Sequence, residues 1–354
     1  MNDPLTCDVL VVGAGPAGNA AARAAARQGV SVLLAERRRR VGVPVRCAEY
    51  VPLPVGKYLD LSNPAITVQP VRAMRTFLPA ADPKENFFSG AMIRRDRFDQ
   101  ELVRQAVEAG ARLVTGLQVY RRTPEGIRAW DGHGEVFIRS RVIVGADGPC
   151  SQVARWMGQP PGPFLAAAQV SLKLARPLDH TRVYFDPRIP GGYGWVFPKG
   201  DRANLGVGLE AGHSRSLTKI LDGFKRERRE EGLVEAAEQP AGGGLAPVGG
   251  LKDLWLENMI LAGDAAGTCH PISGAGVGNA LISGEMAGAA AAEAAIRGKS
   301  GPLKQYRDEL QALLGPSLSR AAAKRQTMIR NWNRPDFGEL IRRNWIAFRE
   351  YYRP

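Results

Sequence analysis

The run Cys7-Asp8-Val9-Leu10-Val11-Val12 ends in Gly13-Ala14-Gly15-Pro16-Ala17-Gly18, and this junction constrains the fold most. An alanine-rich stretch follows and closes at Gly29, after which Val30 to Ala35 reads as a second buried strand. Strand, glycine turn, helix and strand in that order predict a parallel βαβ unit that binds a dinucleotide. Gly13 allows the tight turn, Gly15 lets the backbone approach a pyrophosphate, and Gly18 permits close packing of helix on strand. The free N–H groups of the helix start, with Ala17 in its first turn, then favour the diphosphate. Glu36 ends the second strand, where a carboxylate accepts hydrogen bonds from ribose hydroxyls and repels a 2′-phosphate.

Two segments far downstream repeat the form. Arg141 to Pro149 is a strand running into a glycine turn at Asp147 and Gly148, and Ser151 to Arg155 begins a helix behind it. Asn258 to Gly267 places Gly263 and Asp264 at the carboxyl end of another strand, where ligands bind in open α/β sheets. A long helix of small residues, from Gly276 to Ile296, points its N-terminus back at Asp264.

Between these segments the pattern turns to alternation: Ala167 to Leu174, Arg182 to Phe185, Tyr193 to Pro198 and Ala203 to Leu209. Gly191-Gly192 and Gly200-Asp201 separate the last three, which predicts an antiparallel sheet. Tyr193, Trp195 and Phe197 fall on one face of their strand. A two-residue turn at Gly200-Asp201 sets Tyr193 opposite Gly208 and Trp195 opposite Gly206. Large rings then face empty positions, which leaves room for an apolar ligand, although periodicity alone favours a stripe that packs the core.

In this order the three glycine segments resemble the GxGxxG, DG and GD fingerprints of the flavoprotein family that includes para-hydroxybenzoate hydroxylase. The resemblance implies FAD, with Asp264 on its ribityl chain and Arg95, in Arg95-Asp96-Arg97-Phe98-Asp99, close by. Pro271, Gly274 and Gly276 join the cofactor set, because the helix after Gly276 lies toward the pyrimidine end of the flavin. Pro190 to Pro198 is similar to the PxxYxWxFP motif of the geranylgeranyl reductase family, which assigns Tyr193, Trp195 and Phe197 to a prenyl-chain cavity. Val43 to Glu49 is similar to that family's cysteine segment near the flavin, with Ala48 where many members have glycine. Cys47, Glu49 or a water held near the flavin is the candidate proton donor, and without that role Cys47 shapes the cavity.

The implied fold is α/β: a Rossmann-like FAD-binding domain (1–70, 91–163 and 250–300), an inserted antiparallel β-sheet substrate lobe (71–90 and 164–249) and a C-terminal helical segment (301–354). The implied reaction is reduction of isolated double bonds in a geranylgeranyl or longer prenyl chain on a lipid, diphosphate, chlorophyll intermediate or quinone. NAD(P)H or ferredoxin is the expected electron donor. Two alternatives stay open: an FAD monooxygenase of the hydroxylase type, which shares all three fingerprints, and an electron-relay flavoprotein feeding a quinone pool.

Composition narrows the partners. Cys7, Cys47, Cys150 and Cys269 form no CxxC pair and the four histidines are scattered, which predicts no metal and a reducing cytoplasm. The net charge of +13 attracts anions, but dispersed arginines without a zinc-finger or RRM motif argue against nucleic acid. The first residues carry no signal-peptide pattern, and the alanine-rich segments are interrupted by charges, so no spanning helix is expected. From Leu303 the chain reads as helices broken at Gly315-Pro316 and Pro335. There Trp332, Trp345, Phe348, Tyr351 and Tyr352 among arginines read either as a helical cap over the cavity or as a surface in peripheral contact with the inner face of an anionic membrane.

Overall fold

The computed structural model describes residues 3–353, without the side chains of residues 240 and 241. Leu5–Val12 runs parallel to Val32–Glu36 on one side and to Glu135–Gly145 on the other. Met259–Leu261 and Arg112–Thr115 extend this parallel set outward. Val9, Leu10 and Val11 are fully buried, the state that an unbroken apolar run predicts. The second strand begins at Val32 rather than Val30, because Ser31 is clipped to Asp8 by its N–H and hydroxyl at 2.9 and 2.7 Å.

Register gathers the three distant glycine turns. Val12 lies beside both Ala35 and Gly145, and Gly145 beside Leu261, so the chain leaves the sheet three times along one edge. The helices Pro16–Ala26 and Val277–Arg297 meet backbone to backbone: a Cβ on Gly284 or Gly288 would lie 2.2 or 2.1 Å from the Ala17 or Ala21 carbonyl oxygen. That approach explains why the later helix is built of small residues.

The second sheet has seven strands, with Phe164–Leu174, Arg202–Glu210, Tyr193–Lys199 and His180–Tyr184 as consecutive neighbours. Ala73–Phe77 joins it in parallel with His180–Tyr184. The expected register holds, Tyr193 opposite Gly208 and Trp195 opposite Gly206. Val170, Val196, Leu205 and Val207 form a core on one face with Leu221 and Phe224 of the helix Leu217–Glu230. The alternate residues, Tyr193, Trp195 and Phe197, face the glycine-turn edge of the first sheet across a cavity.

The C-terminal segment departs from expectation twice. Gly301–Arg330 is one helix, unbroken at Gly315-Pro316. A proline disfavours helix for the residue before it partly through a clash with that residue's Cβ, and Gly315 has none. Leu303, Tyr306 and Leu310 on one side, with Leu318, Ala321 and Met328 on the other, then hold the helix through the missing hydrogen bond. Nor do most of the aromatics face outward: Trp332, Trp345 and Tyr351 are buried, and Tyr352 is the exposed one. Trp345 is buried because its Nε1 donates to Thr76 Oγ1 at 3.0 Å under the second sheet. Among the described residues no helix is long and apolar enough to cross a membrane.

Candidate active site

A cavity of about 780 Å³ lies between the glycine-turn edge and the aromatic face, a size suited to small-molecule ligands. Backbone builds much of its cofactor end. A Cβ on Gly18 would lie 1.7 Å from the Gly13 carbonyl oxygen, and one on Gly13 2.5 Å from that of Ala146. Gly15 instead meets nothing within 4 Å, and it caps Pro16–Ala26 without a side-chain bond. Gly15 and Ala17 line the cavity there, and the first helical N–H groups are left for an anion. Glu36 accepts from the Ala14 N–H at 2.8 Å and from the Arg38 N–H at 2.9 Å, each oxygen keeping a lone pair for a ribose hydroxyl.

Asp147 caps the helix that follows it. Its carboxylate accepts from Ser151 Oγ at 2.5 Å and from the Gln152 N–H at 2.6 Å, at the start of the helix Gln152–Trp156. The nearer donors at that helix start take the carboxylate, and the segment's cavity-lining residues are Ala146 and Gly148. Asp264 does line the cavity. Its carboxyl is raised to about 6 by burial, opposed by the nearby Arg95 cation, with no hydrogen bond from the described residues lowering it. It is an acceptor waiting for hydroxyl donors. Gly263, just before it, has no room for a side chain, since a Cβ would lie 2.7 Å from that of Ala17. Pro271, Gly274 and Gly276 line the following turn, and a Cβ on Gly276 would lie 3.4 Å from Asp264 Oδ1. His270 in this turn is lowered to about 4 by burial, so it is neutral, and its Nδ1 accepts from the Ser273 N–H at 3.2 Å.

The cysteine segment is clamped between the two sheets. Cys47 Sγ accepts from the Glu49 N–H at 3.3 Å, and the Cys47 carbonyl accepts from Gln169 Nε2 at 2.8 Å. Glu49 has a left-handed backbone (φ 71°) and is buried. Its Oε1 accepts from the Arg95 N–H at 2.9 Å, while Oε2 accepts from Asn204 Nδ2 at 2.9 Å and is ion-paired with Lys199. Arg95 lines the cavity and is paired with Asp99 at 3.0 Å. Ala48 also lines it, its carbonyl taken by Asn204 Nδ2 at 3.2 Å. Sequence reasoning missed Gln169, Lys199 and Asn204. Asn204 had a signal, since the same turn that aligns Trp195 with Gly206 sets it opposite Phe197.

At the apolar end, the glycines opposite the aromatics do something other than leave ligand space. A Cβ on Gly206 would lie 2.3 Å from Trp195 Cζ2, and one on Gly208 2.5 Å from Leu165 Cδ2. The indole lies down across Gly206 and becomes the cavity floor. Tyr193 both lines the cavity and packs against Phe185 and Trp345, with ring centroids 5.9 and 5.5 Å away. Its hydroxyl donates to the Ser273 carbonyl at 2.6 Å, tying the aromatic strand to the cofactor turn. Leu314 and Leu318 of the long helix, with Ile346 and Tyr351, line it as well.

Two family profiles match this chain: "FAD dependent oxidoreductase" over residues 8–43 and "Geranylgeranyl reductase catalytic domain" over residues 167–243. A digeranylgeranylglycerophospholipid reductase of Methanothrix thermoacetophila is 33% identical over 92% of this chain and 88% of its own. The Methanocella arvoryzae protein of the same name is 34% identical over 88% and 85%.

The chain belongs to the geranylgeranyl reductase family.

It is an FAD-dependent oxidoreductase. The open helix start, the available lone pairs of Glu36 and the donorless Asp264 fit the diphosphate, ribose and ribityl chain of FAD. A crystal structure described as geranylgeranyl bacteriochlorophyll reductase-like, from Thermoplasma acidophilum, superposes with TM-score 0.81 at 25% identity over 97% of both chains. A probable FAD-dependent monooxygenase of Pseudomonas aeruginosa shares the fold, with TM-score 0.68 at 19% identity over 95% of this chain and 99% of its own.

Proposed function

We propose that this flavoenzyme reduces isolated double bonds in the geranylgeranyl chains of a prenylated lipid. The observation that carries the reading is the flat Trp195 floor beside the cofactor turn, within one continuous cavity. Bound FAD, once reduced, supplies a hydride. The chain's own residues bind and orient: Asp264 and the Gly15 helix start hold the cofactor, and Tyr193, Trp195 and Phe197 hold an extended hydrocarbon chain. The hydroxylase alternative gives no role to this aromatic floor. The test is anaerobic incubation of pre-reduced enzyme with prenyl lipids, followed by mass spectrometry. Addition of one dihydrogen equivalent per double bond is the expected result, and unchanged lipids with full flavin reoxidation by oxygen and an aromatic substrate would overturn it.

Cys47 is assigned to the proton supply for the alkene and Glu49 to positioning. Glu49 is engaged by three donors, the geometry of an anchor, and it sets the backbone from which Cys47 projects. In Cys47→Ala, flavin reduction by the donor should survive and reoxidation by the alkene should fall. NAD(P)H or ferredoxin is the electron donor, and anaerobic bleaching of the flavin by one and not the other identifies it.

Substrate enters from an anionic membrane surface. Leu245 and Tyr352 line the cavity and are 42% and 62% exposed, Leu313 beside the lining Leu314 is 57% exposed, and Arg320 stands among them. An apolar rim with basic residues fits the acyl boundary and anionic head groups of a leaflet.

A further inference from the structure

Trp195, Gly206 and Gln169 form one row across three adjacent strands, Trp195 opposite Gly206 and Gly206 opposite Gln169. All three therefore present their side-chain direction to the same face of the sheet, the cavity face. The indole crosses the gap: its Cε2 and Cζ2 would lie 2.6 and 2.3 Å from a Cβ on Gly206. Its nitrogen, bonded to Cε2, thus sits over the middle strand, about one strand spacing (~4.8 Å) from the strand that carries Gln169.

Both ends of this row hold an unanswered polar atom. Among the described residues, Trp195 is 7% exposed and its Nε1 has no acceptor, and Gln169 is 5% exposed and its Oε1 has no donor. Gln169 cannot turn its amide over to change this, because Nε2 is bound to the Cys47 carbonyl at 2.8 Å and an oxygen there would face an oxygen. A buried donor and a buried acceptor left unmade cost about 1–3 kcal/mol each. Both residues line the cavity, beside Cys47. A hydrocarbon chain offers neither atom a partner. A water molecule answers both, since it accepts from the indole N–H and donates to the amide oxygen while keeping a second proton.

We propose that Trp195 Nε1 and Gln169 Oε1 hold one water in the cavity beside Cys47, and that this water protonates the alkene. The inference rests on the prenyl-reductase reading. In the step, the π bond breaks and two C–H bonds form. One hydrogen arrives with both electrons from the reduced flavin, and the other arrives as a proton from the held water. The resulting hydroxide regains a proton from the Cys47 thiol, and solvent restores the thiol before the next turnover. Trp195 then serves twice, as floor for the chain through its ring and as holder of the water through its nitrogen.

Trp195→Phe keeps an aromatic floor and deletes the donor, and Gln169→Met keeps the volume but deletes both the acceptor and the bond to the Cys47 carbonyl, so Trp195→Phe is the decisive variant. Each FAD-loaded variant is pre-reduced and mixed anaerobically with a prenyl lipid. The limiting rate of reoxidation should fall by about a hundred-fold, the usual scale for a positioned acid. The rate of flavin reduction should stay within about two-fold, and the limiting rate is read at saturating lipid so that a change in chain binding does not enter it. A crystal structure of the oxidised wild-type holoenzyme should show a water within hydrogen-bond reach of both atoms, and that of Trp195→Phe should lack it. Unchanged limiting rates in a folded, FAD-loaded Trp195→Phe, or a wild-type site without that water, would overturn the proposal. Neither result touches the prenyl-reductase reading, which falls only if the wild-type enzyme leaves prenyl double bonds intact.

Discussion

Asn204 Nδ2 donates to Glu49 Oε2 at 2.9 Å, and the same oxygen is ion-paired with Lys199, so the aromatic hairpin holds the cysteine segment by one carboxylate. Removing one partner of a buried pair strands the other. Lys199→Met should destabilise the protein by about 2 kcal/mol or more, on the low side for buried pairs because the lysine side chain keeps 24% exposure against 5% for Glu49. The double variant Lys199→Met/Glu49→Gln should recover much of the loss. Urea unfolding of the four proteins in the cycle measures the coupling, and simple additivity of the single effects would show that the pair does not hold the segment.

The glycines under the aromatic floor should differ in tolerance. A methyl group at Gly208 meets mainly the flexible end of Leu165, whereas one at Gly206 meets the Trp195 ring and, at 2.7 Å, the Ala168 carbonyl oxygen. Gly206→Ala should therefore lift the indole into the cavity and weaken prenyl-lipid binding well beyond Gly208→Ala, with FAD content unchanged in both. Lipid titrations followed by flavin absorbance distinguish them. Equal affinities would mean that the indole does not form the floor.

The sequence revealed those parts of the site that rest on local pattern. Gly13, Gly15, Gly18 and Asp264 were legible because turn geometry and strand ends carry their own residue signatures, and the hairpin register followed from Gly200-Asp201 alone. Lys199, Asn204 and Gln169 were not, because their partner is a segment about 120 to 160 residues earlier in the chain, and no local periodicity records that meeting. The family fingerprint marks Asp147, and the donors its carboxylate meets belong to the helix just after it, a local contact that the fingerprint does not record. Pro316 misled through a rule whose steric part Gly315 removes.

The apolar rim yields a prediction about membranes. The protein should sediment with anionic vesicles and not with neutral ones, each basic residue near the surface adding about 1 kcal/mol, and salt should weaken binding by screening. Leu245→Ser/Tyr352→Ser should lower vesicle binding while leaving FAD content intact, since both side chains are exposed at the cavity mouth. Binding to neutral vesicles that ignores salt would remove the electrostatic part of the reading.

Asp264 ties cofactor affinity to pH. Its carboxyl titrates near 6 in the ligand-free fold and near 3.8 when unfolded, the shift being due first to burial. Because the folded value is the higher, the folded apoprotein holds this proton more tightly, and apoprotein stability falls as pH rises from about 4 through 6. A rise of about two units corresponds to roughly 3 kcal/mol at most, complete above pH 6. On the proposed ribityl contact, bound FAD would reverse the sense, since hydroxyl donors to the charged form reward ionisation. FAD affinity should therefore fall as pH drops through about 6, even as the apoprotein becomes more stable. Asp264→Asn should remove both trends: its apoprotein should be at least as stable as wild type at pH 7, with little change between pH 4 and 7 from this site, while its affinity for FAD should drop about ten-fold or more through loss of a charge-assisted hydrogen bond. Thermal melts of apoprotein and fluorescence titrations with FAD across that pH range measure the two trends separately. An Asp264→Asn protein that binds FAD as tightly as wild type at pH 7 would move the ribityl contact to another residue of the turn.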